Sequence, residues 1–111
     1  MSFDAEIKKS EIFKEVNTFK PSQGVDARGS IFTSYDNKIY DKYIPEGHNF
    51  IHDKFSSSKQ NVLRGLHGDT KTWKLISCVY GDIYEVVVDL RPKSSTYMKW
   101  EPHYVRTGLA S

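Results

Sequence analysis

Two short apolar runs separated by a Gly-Asp pair constrain the fold of this chain more than any other feature. Residues 73–80 and 83–90 are rich in β-branched and aromatic side chains and flank Gly81-Asp82. Each run is shorter than an ordinary helix, and a two-residue Gly-Asp spacer between such runs is a hairpin signal. Further turn signals stand at residues 21–24, Asp36-Asn37, Pro45-Glu46-Gly47, Ser56-Ser57-Ser58 and residues 91–95. They recur about every 8–12 residues, the spacing of an all-β sandwich or barrel. Seven Tyr, six Phe and two Trp add side chains that favour a pleated surface. Strands are expected over residues 12–19, 25–32, 49–55, 62–66, 73–80 and 83–90. Another is expected to begin in 96–100, with a brief pairing at 40–43 and a short helical or frayed start at 1–10.

The length of 111 residues suits one domain spanning 1–111, with no internal repeat or linker. Sixteen basic against fourteen acidic side chains leave a net charge of +2, and no Lys/Arg block stands out. That balance argues against a nucleic-acid partner. No apolar run is long enough for a bilayer helix, and no signal-peptide core is visible, so a cytoplasmic protein without a membrane partner is expected. The single cysteine, Cys78, cannot form an internal disulfide and reads as a small core residue. His48, His52 and His103 lack ligand spacing, so no metal site is expected.

The densest chemistry lies in residues 61–69. His67 follows Arg64 by three positions, with Gly65 between them. In a regular strand Arg64 and His67 point to opposite faces, but a bulge at Gly65 would turn both toward one cavity. Arg grips phosphate or carboxylate with two prongs, and His exchanges a proton near neutrality. The plain alternative is a surface Arg beside a half-buried His. Lys74 is read either as a stem covering apolar surface or as a cation facing the same cavity. Asp26 and Arg28 form a local turn pair unless Arg28 is a second phosphate contact. Asp89 and Arg91 read as a strand-end ion pair.

Taken together, several segments resemble the nucleotide-sugar 3,5-epimerase family that acts on dTDP-4-dehydrorhamnose precursors. They are residues 26–32, 55–58 and 62–67, then Lys74-Leu75, Gly81-Asp82-Ile83, residues 86–91 and 94–97, and Trp100. The resemblance covers residues 12–100 in order and spacing. It implies a cupin-type jelly-roll barrel that works as a homodimer, with no metal and no organic cofactor, on a nucleotide-diphospho-sugar. By position it implies His67 as the base and Lys74 beside the sugar's keto oxygen. Arg28 and Arg64 would then hold the diphosphate, and His52, Lys54 and Ser56 would line the substrate site.

The chemistry suits these residue types. A 4-keto group acidifies the protons on C3 and C5; a base removes one, a cation steadies the enolate, and a proton returns to the other face. Two local departures bear on the substrate. Relatives specific for dTDP sugars usually carry Gln and Asn where this chain has His52 and Lys54. Residues 68–73 also differ from the aromatic-Gln sequence usual after the base. Both make the chain similar to the branch acting on GDP-linked 4-keto-6-deoxy-heptoses in capsule synthesis. The later half of the family supplies a Tyr proton donor, an Asp that orients the base and a Pro…His-Gly segment. None is recognisable in residues 101–111, so the expectation is a barrel incomplete at its C-terminal side, ending in an atypical tail. A non-catalytic nucleotide-sugar-binding cupin module, or a truncated epimerase remnant, is the alternative reading.

Overall fold

The computed structural model describes residues 5–107. Six strands form three separate two-stranded antiparallel sheets: β1 (Ala5–Lys9) with β2 (Asn17–Pro21), β3 (Gln23–Asp26) with β4 (Gly29–Phe32), and β5 (Asp82–Val88) with β6 (Trp100–Arg106). One helical turn, α1 (Asn37–Tyr40), continues into a 3₁₀ turn over Asp41–Tyr43. The all-β class expected from the sequence is the class observed.

Several local expectations are corrected. The start of the chain is not helical or frayed from Ala5 on, because β1 pairs in register with β2, Ile7 opposite Phe19. Residues 1–4 of that expectation, and 108–111 of the expected tail, lie outside the described residues. Residues 40–43 are helical rather than paired: Asp36 caps the turn, accepting from the Lys38 N–H at 2.8 Å. Residues 49–55 and 62–66 form no strand. Gly81-Asp82 does not close a hairpin on residues 73–80. The Gly81 N–H donates to Thr107 Oγ1 at 2.9 Å, and its carbonyl accepts from the Thr107 N–H at 3.0 Å. With those groups taken, residues 73–80 keep only a parallel bridge from Cys78 to Thr107. β5 instead pairs with β6, which absorbs most of the supposed tail.

That pairing is set by the connection between the two strands. Asp89 is 6% exposed and lies where β5 ends. Its Oδ1 accepts from Arg91 N (3.0 Å) and Nε (2.9 Å). Its Oδ2 accepts from Arg91 Nη2 (2.9 Å), Ser94 Oγ (2.6 Å) and Thr96 Oγ1 (2.6 Å). The Asp89 backbone closes the loop, donating to Lys99 O and accepting from Met98 N. A buried carboxylate must be matched by donors, and charge-assisted bonds are the strong ones. This turn therefore fixes the register Val88 opposite Trp100 and all pairs beyond it. Arg91 Nη1 also reaches Glu15 at 3.1 Å, and Ser10 Oγ donates to Glu101 at 2.8 Å, so the β1–β2 connection is tied to the same hairpin.

The largest apolar cluster is aromatic. Phe19 and Tyr40 are buried, with Tyr43, Phe50 and Leu75 packed around them. Phe19 meets Tyr40 and Tyr43 edge-to-face at 4.7 and 5.1 Å, a favoured ring geometry. Among the described residues, Phe13, Pro21, Cys78 and Val105 are also buried.

Two stability tests follow. Phe19→Ala should cost about 3 kcal/mol in urea unfolding, the usual cost of emptying an aromatic core position. Arg91, then Ser94 and Thr96, hold the Asp89 carboxyl far below the usual carboxylate range. A depressed folded pKa contributes stability above the unfolded value of about 3.9 and loses it as pH falls below that. Asp89→Asn should therefore lower the urea midpoint at pH 7 and flatten its decline below about pH 4; an unchanged midpoint would remove this turn from the account.

Candidate functional site

The residues singled out by sequence lie on one long arm and one hairpin turn. Residues 51–72 are all exposed and carry no strand or helix. His52, Lys54, Ser56, Arg64 and His67 belong to this arm, and Lys74 stands exposed just beyond it. Arg28 lies in the turn between β3 and β4.

Two parts of the arm are organised by their own polar contacts. Arg64 Nε donates to Ser58 Oγ at 2.9 Å, and its Nη2 donates to the Ser57 carbonyl at 3.2 Å. The serine loop is therefore folded back against this guanidinium. Its Nη1 donors remain available to an anion. Asp69 forms the second part, accepting from the backbone N–H groups of Lys71 (2.8 Å) and Thr72 (2.6 Å) and from Thr72 Oγ1 (2.6 Å). These contacts hold its carboxyl below the usual range, with a smaller contribution from the charge of Lys74. Asp69 thereby turns the chain after His67 toward Trp73 and Lys74.

Gly65 explains how Arg64 and His67 are set relative to each other. Its φ of +118° is open to glycine and strained for other residues. A Cβ there would sit 3.6 Å from the His67 backbone nitrogen and 3.7 Å from its ring Cδ2. The chain turns at Gly65, but in a segment that forms no strand rather than at a strand bulge. The expected shared cavity is not formed: Arg64 and His67 are both exposed, and the His67 ring has no hydrogen-bond or ion-pair partner among the described residues.

Arg28 shows its local pairing. Its Nε and Nη2 donate to Asp26 Oδ2 at 3.1 and 2.6 Å, and its backbone N–H to Oδ1 at 2.8 Å. The guanidinium keeps Asp26 below the usual carboxylate range. Exposed pairs of this kind add little stability, and the Nη1 edge stays open.

An open depression of about 560 Å³ lies elsewhere, lined by residues of α1 and its flanks with Asn49 and Phe50. None of the predicted site residues lines it. Tyr35 on its wall donates to Asp41 at 2.6 Å, and that bond is the main reason its pKa is pushed up to about 12. Among the described residues, no group of three or more His, Cys, Asp or Glu side chains is placed to hold a metal ion. No helix among them is long and apolar enough to cross a membrane.

The polar line Ser10–Glu101–His103 was not legible in advance. Ser10 Oγ donates to one Glu101 oxygen, and His103 Nε2 lies 2.9 Å from the other. The signal for it is the i, i+2 spacing of Glu101 and His103 on one strand face, which is readable only once residues 100–106 are known to be a strand.

Comparison with known proteins adds to this geometry. The dTDP-4-dehydrorhamnose 3,5-epimerase family model matches residues 10–107. A protein of that name from Salmonella typhimurium is 37% identical over 89 residues, covering 78% of this chain and 49% of the relative. One from Methanothermobacter thermautotrophicus is 35% identical over 83 residues, covering 73% of this chain and 44% of the relative. The chain thus spans about half the length of the curated relatives it matches. Two solved epimerases share its fold. That from Elizabethkingia anophelis superposes with a TM-score of 0.71 at 30% identity, covering 96% of this chain and 60% of the other. That from Sulfolobus tokodaii gives 0.78 at 26%, covering 99% and 62%.

Gly65→Ala tests the local geometry. It should cost about 1–2 kcal/mol through its positive φ and shift the His67 ring resonances by NMR. An unperturbed His67 spectrum would show that Gly65 does not set the ring's position.

Proposed function

Because the chain belongs to the dTDP-4-dehydrorhamnose 3,5-epimerase family and shares its cupin-type fold, we propose that it forms the base-bearing part of an epimerase acting at C3, C5 or both in a nucleotide-linked 4-keto-6-deoxy sugar. The observation that carries the proposal is the family match across residues 10–107, which includes Arg28, Arg64, His67 and Lys74 in one frame.

In this reading the neutral His67 imidazole takes the proton from the carbon next to the ketone, and the C–H electron pair enters the enolate. Lys74 lies beside the developing oxyanion and steadies its charge. A proton returned to the opposite face completes the inversion with no net change in atoms or electrons. Arg64, braced by Ser57 and Ser58, presents its Nη1 edge to the diphosphate. A braced guanidinium loses less freedom on binding than a mobile one. Arg28 offers the same edge from the β3–β4 turn, and His52, Lys54 and Ser56 contact the rest of the substrate. His52 and Lys54 favour a GDP-linked deoxy-heptose over a dTDP sugar. Part of this reading is that the protein serves capsule or other surface-polysaccharide synthesis as a cytoplasmic homodimer working without a cofactor.

A second reading is nucleotide-sugar binding without turnover. It is favoured by the exposure of His67 and by the lack of any hydrogen-bonded partner to orient its ring among the described residues.

Solvent deuterium incorporation at C3 or C5 of GDP- and dTDP-linked 4-keto-6-deoxy sugars separates the two. The epimerase reading predicts exchange that falls at least a hundredfold in His67→Ala, the scale of a lost general base. Binding with no exchange supports the second reading. Exchange unaffected by His67→Ala overturns the assigned base. Arg64→Lys, which cannot keep both the Ser58 contact and a two-pronged grip, should weaken nucleotide-sugar binding about tenfold, a loss of about 1.4 kcal/mol.

A further inference from the structure

The proposed base and cation stand at opposite ends of one short segment, and only one end is anchored. Lys74 is exposed, but its neighbours are not: Trp73 is half-buried, and Leu75 packs against the buried Phe19 and Tyr40. The core therefore fixes the backbone at Lys74 whatever the arm does. His67 stands seven residues earlier, within the exposed arm. Seven extended residues reach about 23 Å. Both groups can address one sugar ring only if the chain between them is bent to a set shape.

Asp69 sets that shape. Among the described residues, the hydrogen bonds within residues 65–74 all end on its carboxylate. Oδ1 accepts from the backbone N–H groups of Lys71 at 2.8 Å and Thr72 at 2.6 Å, and Oδ2 accepts from Thr72 Oγ1 at 2.6 Å. Both oxygens are engaged, and the chain bends at Thr70-Lys71 inside these contacts. A carboxylate that accepts from N–H groups two and three residues on stands in for a backbone turn. Its bonds are charge-assisted, so they hold the turn more firmly than a neutral hydroxyl would. The Thr72 hydroxyl first, then the Lys71 and Thr72 amides, and last the charge of Lys74 keep the carboxyl below its usual range. The closed turn thus brings Asp69 within electrostatic reach of Lys74. On the other side of His67, Gly65 at φ +118° sets the approach of the chain.

We infer that Asp69 is a positioning residue: by closing the turn over residues 69–72 it holds the His67 base at a set distance from the Lys74 cation. It touches no reacting atom itself. This role rests on the epimerase reading and deepens it. Misplacing a reacting group by about 1 Å can cost on the order of a hundredfold in rate. The diphosphate grip is separate, because Arg64 and Arg28 are held by Ser57, Ser58 and Asp26 without any contact to Asp69. Loss of the turn therefore falls on the rate and spares binding.

The experiment follows solvent deuterium incorporation into GDP- and dTDP-linked 4-keto-6-deoxy sugars, at limiting and saturating substrate, for the intact chain and three variants. Asp69→Ala removes all three contacts and should lower the saturating rate by about tenfold or more, with KM kept within about twofold. Asp69→Asn, whose amide oxygen still accepts from both backbone N–H groups, should recover most of that rate. Thr72→Val, which loses only the Oγ1 contact, should fall between them. Each variant should keep the wild-type urea midpoint, because no bond of the turn reaches the core. A lowered midpoint would make Asp69 a support of the core and overturn the assignment. A loss confined to KM would also overturn it, since Asp69 would then contact substrate. So would equal losses in Asp69→Ala and Asp69→Asn, which would make the charge responsible rather than the turn. Wild-type protein that exchanges neither sugar removes the epimerase reading and this role together. Wild-type exchange that Asp69→Ala leaves within about twofold removes this role alone.

Discussion

The carboxylate of Asp89 is the constraint on which the rest of the structure leans. One side chain collects donors from Arg91, Ser94 and Thr96, while its backbone closes the loop on Met98 and Lys99. The connection from β5 to β6 is long for a hairpin, and without a fixed turn its register would be free to slip. With the turn fixed, Tyr84 meets Tyr104 and Glu101 shares a face with His103. Arg91 and Glu101 then reach out to Glu15 and Ser10 and carry the β1–β2 connection with them.

The arm at residues 51–72 depends on this frame only indirectly. Residues 51–72 hold their shape through short-range contacts: Arg64 with Ser57 and Ser58, Asp69 with Lys71 and Thr72, and Gly65 against His67. None of these spans more than seven residues. Such contacts shape a segment without tying it to the core, and they leave the candidate base on the surface. An oxyanion-stabilising cation works best where water is excluded.

The sequence was informative wherever local chemistry decides the outcome. The aromatic and β-branched composition predicted an all-β fold, the Asp89–Arg91 pair was readable from spacing, and the apolar setting of Cys78 predicted its burial. It misled where partners decide. Residues 73–80 have strand composition but no antiparallel neighbour, because Gly81 is bonded to Thr107. Residues 101–106 looked like part of a tail because their partner strand lies across an eleven-residue loop organised by buried polar contacts rather than by a Gly turn. Residues 49–55 and 62–66 have β-like composition yet stay unpaired, since a strand needs a neighbouring edge that composition cannot supply. For the candidate site, the family resemblance named the residues and their order, and the structure adds their local contacts. The bracing of Arg64 by Ser57 and Ser58 depends on side-chain geometry, which composition does not encode, whereas the Asp26–Arg28 turn pair was readable from spacing.

Amide hydrogen exchange on the intact chain, resolved by residue, tests this account most directly. The hairpin held by Asp89 should be the slowest-exchanging unit, with β5 and β6 protected together, while residues 51–72 exchange at nearly the rate of an unstructured peptide. Protection across residues 51–72 equal to that of β5 and β6 would contradict it, because the arm would then belong to the same cooperative core.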